Sequence, residues 1–526
     1  MKHPFLLPLA ATAALAAFPA LADVKLPMVF ADHAVLQRDK PIVVWGWAEP
    51  GEEVAVSFAD ASAEAVADAN GEWQVSLPSL PASKEGRAMT VKGQNEIVLE
   101  DLLVGDVWIC SGQSNMEMNM GGVSDRAVAV EESKAVPFIR HMKIVGEGVS
   151  GPTRDTVGTK WQVCSPSSLN GFTATGYFFA YELATALDIP IGLVNNSWSG
   201  QKIEPFTSPE AFYAEPGLEA IADAVRGLDP ATDAGKAANE KALSAFRAWL
   251  AGAEEAVAAG QRPTPSPKMP MVSSHNWPCS AYFNRVHPIT RFAVKGAIWY
   301  QGCSNGGDGD IYVHKMHALI DGWRKAWGYD FPFYFVQLAN HQNATDDPAG
   351  GNGWARLRDA QRKSLAIPDT GMAVAIDIGE ARDIHPRNKR DVGRRLSLWA
   401  LAKTYGHDDL VYSGPLFKEV VPEEGRIRVL FEDFSVGSGL MAGVKNGTNP
   451  AEEDPEGVIK GFAIAGEDRQ WAWADAAIDG DAIVLASPDV PSPVAVRYAF
   501  RQNPEGRCNL YNREGLPASP FRSDSW

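Results

Sequence analysis

The sequence predicts an α/β fold: an open parallel sheet with helices on both faces, flanked at each end by a β module. Three observations carry this reading. The runs "LLVGDVWIC", "IGLVNNSW" and "FAVKGAIWY" are almost continuously apolar, as strands covered on both faces must be. Helical stretches such as "GYFFAYELATALD" lie between them, which gives the alternation of an α/β domain. On either side the texture changes to short alternating strands punctuated by turn residues.

Taken in order, residues 1–22 read as a signal peptide. Lys2 and His3 precede an apolar stretch from Phe5 to Leu21, and Ala20-Leu21-Ala22 fits a small-x-small cleavage site. This predicts a periplasmic or secreted protein without membrane insertion, since no later run reaches the ~20 apolar residues that span a bilayer. Residues 23–100 read as a sandwich-like β module. In "PIVVWGWAEPGEEVAVSF" two strands flank a Glu-Pro-Gly turn, and in "DANGEWQVSLPSL" an Asn-Gly turn precedes alternating Trp73, Val75 and Leu77.

Residues 101–410 form the α/β domain, continued by "FPFYFVQL" and "GMAVAIDIG". Residues 206–270 interrupt it. They are Ala- and Glu-rich, carry Leu243, Phe246, Leu250 and Val257 at helical spacing, and end in "RPTPSPKMP". That is a helical insertion closed by a Pro-rich connector, with no chemistry of its own. Residues 411–526 return to β texture in "GRIRVLFEDF", "DAIVLASPDV" and "PVAVRYAF".

The 526 residues carry 65 acidic and 48 basic side chains, a formal charge of −17. Nucleic acid and anionic membrane surfaces need a basic footprint, so neither is the expected partner. Five cysteines are too few for a disulfide scaffold, and their odd number leaves at least one thiol free.

An open parallel sheet delivers functional residues at the carboxyl ends of its strands. Three apolar runs end in polar clusters: Ser111 to Asn115, Asn195 to Gly200, and Trp299 to Asn305. A fourth cluster, Asp383-Ile384-His385-Pro386, comes much later, just before an amphipathic stretch. Any one of these suits an ordinary strand-to-helix turn. Together, with a serine and a late histidine, they form a constellation suited to acyl transfer. Ser114 is the candidate nucleophile and His385 the candidate base that activates it. Met116 stands where a G-x-S-x-G elbow would end, so the motif is not that of the α/β hydrolases.

Six blocks extend the comparison: "VFADHAVLQRDKPIVVWGWAEPGEEV", "LLVGDVWICSGQSNMEM", "GLVNNSWSGQKIEPF", "GAIWYQGCSN", "DIGEARDIHPRNKRDVGRRL" and "NLYNREGLPASPFRSDSW". In type and order they resemble the sialate O-acetylesterase family, a branch of the SGNH hydrolases. The resemblance implies an SGNH-type sheet, a serine esterase acting on an O-acetylated sugar or glycan, and no metal or organic cofactor. It points to the His of "IHP" as base, ahead of His275, His287, His314 and His317. Many SGNH enzymes place Asp three residues before that His, but Arg382 is there and Asp383 sits two before. Asp383 is the first candidate for orienting the imidazole; Asp377 and a backbone carbonyl are the alternatives. For the oxyanion the resemblance implies the Ser114 and Gly200 N–H groups and the Gln301 side-chain amide.

Cys303 departs from the family, which usually carries an acid there ("WYQGES"). A glutamate at this position would either restore the family arrangement or bring an unpaired charge into a partly buried turn. Two other functional readings compete: an acetylesterase for a plant polysaccharide such as xylan or xyloglucan, and a non-catalytic glycan-binding protein.

Overall fold

The computed structural model describes residues 23–267 and 276–526. The segment read as a signal peptide, His275 and the end of the Pro-rich connector lie outside the described residues.

The central sheet is built from six parallel strands: β1 (Glu96–Gly112), β2 (Ile139–Val145), β3 (Ile191–Asn195), β4 (Gly296–Tyr300), β5 (Phe333–Gln337) and β6 (Thr370–Val374). Their order is β2-β3-β1-β4-β5-β6, all parallel. Every residue of β3, β4 and β5 is buried, which is why these runs carry no polar alternation. Trp108 on β1 packs edge-on against Phe179, while Trp299 on β4 packs against Trp323. The register pairs Trp108 with Gly296 and Ser111 with Trp299, so the two tryptophans point to opposite faces. Helix α2 (Ala174–Leu187), which carries Phe179, therefore covers one face, and α4 (Ile311–Trp327), which carries Trp323, the other.

The short helix α1 (Ser114–Glu117) follows β1 and precedes α2, and α3 (Asp233–Ala258) lies in the insertion between α2 and α4; α5 (Gly353–Lys363) and α6 (Lys389–Lys403) follow α4. Helix α6 lies tightly on α2: a Cβ at Gly393 would stand 2.6 Å from the Phe178 Cβ. Asn388 caps α6 by accepting from the Asp391 N–H at 3.1 Å. Helix α3 has the predicted periodicity, but its apolar stripe faces solvent, with Leu243, Leu250 and Val257 at 45%, 53% and 64% exposure.

Strand β1 is longer than the sequence suggests. Its first half pairs antiparallel with Ser83–Lys92 of the N-terminal module and its second half lies in the central sheet. The boundary read at residue 100 thus falls inside one continuous strand. In the same module Ile42–Trp47 pairs with Glu72–Leu77, not across the Glu-Pro-Gly turn with Glu53–Phe58. Trp73, Val75 and Leu77 are buried, as their alternation predicts.

The C-terminal segment forms small antiparallel sheets and returns to the α/β domain. Arg358 on α5, fully buried, donates to the Arg501 and Gln502 carbonyls at 2.6 and 2.7 Å. Arg522 reaches Asp310 and Asp359 at 2.8 and 3.3 Å. All five cysteines are free. No helix among the described residues is long and apolar enough to cross a membrane.

Candidate active site

Strand β1 ends at Gly112, whose φ is +126° and whose absent Cβ would lie 2.3 Å from the Tyr300 carbonyl oxygen. Only glycine lets the chain turn so close to β4. The next residue fastens the turn. The Gln113 N–H donates to Tyr300 O at 3.0 Å, and its side-chain oxygen accepts from the Gly302 N–H at 3.0 Å. Ser114 then opens the one-turn helix α1, partly exposed above the strand ends.

His385 arrives on the long loop after β6, folded by a turn in which the Asp383 N–H donates to Glu380 O at 3.3 Å. Its Nε2 lies 2.8 Å from Ser114 Oγ, and its Nδ1 3.2 Å from Asp383 Oδ1. The His385 backbone N–H donates to the same Oδ1 at 2.9 Å, and chiefly for that reason the Asp383 carboxyl is held below the ordinary carboxylate range. A proton on Nδ1 shared with this carboxylate leaves the Nε2 lone pair for the serine hydroxyl.

Asp377 does not reach the histidine. It is buried, bidentate to Arg395 at 2.6 and 2.8 Å, and accepts from Tyr511 Oη at 3.3 Å. The other histidines lie elsewhere. His314 and His317 are about half exposed and share Glu215, at 2.8 and 2.5 Å, and His287 sits beside Trp45 and Trp47 of the N-terminal module.

The structure bears differently on the three oxyanion donors expected. The Ser114 and Gly200 N–H groups have no acceptor among the described residues, and Gly200 takes a φ of +73°. The third requires correction. Gln301 is wholly buried, and its amide nitrogen donates to Gln201 O at 3.1 Å and Asn305 Oδ1 at 2.7 Å. Both amide hydrogens are thereby committed, and the carbonyl accepts from Tyr312 Oη at 2.7 Å. Gln301 supports the loop from below and has no hydrogen to offer an oxyanion.

Three residues that the sequence reading did not single out complete the site. Glu117 on α1 binds Lys143 at 2.6 Å and accepts from the Ser199 N–H at 2.7 Å, which ties the Gly200 loop to the serine's helix. Burial opposes its charge, but Lys143 and Ser199 outweigh that and keep the carboxyl below its ordinary value. Lys389 and Asn115 are buried and flank the Ser114–His385 pair in the chain, Asn115 directly after the serine and Lys389 four residues after the histidine, and Lys389 Nζ donates to Asn115 Oδ1 at 2.6 Å. Cys303 stands beside both, its thiol pushed up to about 12 by desolvation, so it is a protonated thiol and not a nucleophile. The sequence signals for them were weak: Asn115 closes the strand-end cluster that holds Ser114, Glu117 follows Ser114 by three residues, and Lys389 follows His385 by four.

A doubly covered parallel sheet with a Ser-His pair at its carboxyl edge is the arrangement of an SGNH-type hydrolase. Comparison with known proteins gives the family. Residues 276–399 match the model of a carbohydrate esterase family described as sialic acid-specific acetylesterase. The solved structure of a carbohydrate acetylesterase from Xanthomonas citri is 37% identical, with a TM-score of 0.77, covering 96% of this chain and 100% of that one. The mouse sialate O-acetylesterase is 28% identical over 93% of this chain and 92% of its own length. The human enzyme is 27% identical over 73% of this chain and 72% of its own length. The chain belongs to the sialate O-acetylesterase family of carbohydrate acetylesterases, and it is a carboxylic ester hydrolase.

Proposed function

We propose that the protein removes O-acetyl groups from a sugar of the sialate type, with Ser114 as nucleophile, His385 as base and Asp383 as the group that orients it. The observation that carries this reading is the 2.8 Å contact between Ser114 Oγ and His385 Nε2. Ser114 Oγ attacks the acetyl carbonyl carbon while its proton passes to Nε2. The carbonyl electrons move to the oxygen, which the Ser114 and Gly200 N–H groups receive. The intermediate collapses, the C–O bond to the sugar breaks, and the departing oxygen takes the proton from Nε2. Water, deprotonated by the same imidazole, then attacks the acetyl-enzyme and releases acetate and free Ser114.

The test is acetate release from O-acetylated sialic acid, acetylated xylan, acetylated xyloglucan and a chromogenic acetyl ester. The reading expects the sialate ester to be turned over with the highest kcat/KM. Preference for xylan or xyloglucan would move the substrate to plant polysaccharide, and no turnover of any ester would leave a glycan-binding protein. The proposal extends to export, for which the charged start, apolar stretch and Ala20-Leu21-Ala22 of the sequence are the support. Amino-terminal sequencing of the mature protein should begin at Asp23.

A further inference from the structure

Lys389 opens α6 four residues after His385, and it is wholly buried. A buried ammonium is normally compensated by a carboxylate. Here its two hydrogen-bond acceptors are neutral: Asn115 Oδ1 at 2.6 Å and the Pro386 carbonyl at 2.7 Å. Methionine would fill such a place at lower cost, so the amine needs a reason for being there.

Its partners supply one. Asn115 follows Ser114 in the chain, and its Nδ2 donates to the Ile384 carbonyl at 3.0 Å. The carbonyls on both sides of His385 are therefore held from one buried nitrogen, one directly and one through Asn115. Cys303 stands beside the Asn115 amide and the Lys389 amine and brings no formal negative charge to them. Desolvation pushes Lys389 down to about 7 against the pull of Cys303, Glu380 and Asp383. An uncharged amine still has two N–H donors, enough for both acceptors, so the bridge survives loss of the proton.

We propose that Lys389 is a positioning residue for the Ser114–His385 pair: through Asn115 and the Pro386 carbonyl it holds the loop that carries the imidazole against the helix that carries the serine. The inference rests on the reading that this pair performs the reaction. A misplacement of about 1 Å at such a pair costs roughly 10²-fold in rate, so the bridge has a kinetic consequence out of proportion to its two hydrogen bonds.

The experiment measures kcat and KM on a chromogenic acetyl ester, the rate of serine labelling by a fluorophosphonate, and Tm. The proteins are full-length wild type, Lys389→Met, Asn115→Ala, the double variant and Ser114→Ala. Both single variants should lower kcat by ~10–100-fold, and labelling in parallel, while KM stays within about threefold. The double variant should be no slower than the worse single one, because both substitutions break the same chain of contacts. Asn115→Ala removes the same bridge at smaller cost to packing, so it decides the matter should Lys389→Met fold poorly. Folded single variants with kcat within about twofold of wild type, or defects that multiply in the double variant, would overturn the proposal. An active Ser114→Ala would instead remove the serine reading on which the proposal stands, a result distinguishable from either of those.

Discussion

At the scale of single residues, the two candidate acids separate by what each already holds. The Asp383 carboxylate is partly exposed and among the described residues is hydrogen-bonded to His385 alone, whereas the Asp377 side chain is buried against Arg395. Asp383→Asn should leave Tm nearly unchanged and lower turnover by roughly two to four orders of magnitude, because the imidazole loses its orienting carboxylate. Asp377→Asn should do the reverse, destabilising the fold by about 3–5 kcal/mol through an uncompensated buried guanidinium. Kinetics and denaturant unfolding of both variants check the pair. A near-normal Asp383→Asn enzyme would pass the orienting role to a backbone carbonyl.

Lys389 adds a pH dependence with a definite sign. In the unfolded chain it keeps its proton to the ordinary value of 10.5, and in the folded protein it releases it near 7. Between those values the unfolded state binds more protons, so this residue's contribution to stability rises with pH, by at most ~1.4 kcal/mol per unit. Lys389→Met deletes that slope. The stability difference between Lys389→Met and wild type in urea unfolding should move in favour of wild type as pH rises across this window; a constant difference would contradict the account. Cys303→Glu places a carboxylate beside the amine, raises its folded pKa and should flatten the slope as well. Because Lys389 interacts electrostatically with this position, a glutamate there should pair with it and leave ester hydrolysis and Tm close to wild type; loss of both in Cys303→Glu would mean that the added charge stays unpaired.

At the scale of elements, the strands and helices that were legible are those whose pattern depends on local burial. The wholly buried and almost continuously apolar β3, β4 and β5, the alternation of Trp73, Val75 and Leu77, and the helices α2 and α6 could be read directly. What could not be read depends on partners distant in sequence. Nothing in "PIVVWGW" says that it pairs with "EWQVSL" and not with its nearer neighbour, nor does the stripe on α3 reveal that it faces water. Ser114 and His385 were legible from strand-end position and family blocks, but the Gln301 amide was not, because its commitments to Gln201, Asn305 and Tyr312 exist only in three dimensions. The close approach of α6 to α2 belongs here too. Gly393→Ala puts a methyl group against the Phe178 Cβ and should cost about 1–3 kcal/mol, read as a lower Tm, with kcat falling because α6 begins at Lys389, which is bonded to Asn115 beside the serine.

For the whole molecule, the β modules at either end are joined to the catalytic sheet by more than a linker. Strand β1 runs through both the N-terminal module and the central sheet. At the other end, the buried Arg358 finds two of its acceptors on residues 501 and 502, and Asp377 shares its charge with Tyr511. Removing residues 411–526 would leave these groups unsatisfied in a stripped apolar surface. The truncated chain should therefore be insoluble or unfolded, and the intact protein should melt in one transition by calorimetry. A soluble, active truncation would show the C-terminal module to be an independent domain.

The central claim is that Ser114, activated by His385, becomes acylated. Its most direct test is mass spectrometry of the protein after reaction with a fluorophosphonate, with peptide mapping of the adduct. The account predicts one adduct, on the peptide bearing Ser114, absent from Ser114→Ala and formed far more slowly in His385→Ala. An adduct on another residue, or Ser114→Ala protein that still hydrolyses an acetyl ester at a tenth of the wild-type rate or more, would contradict it.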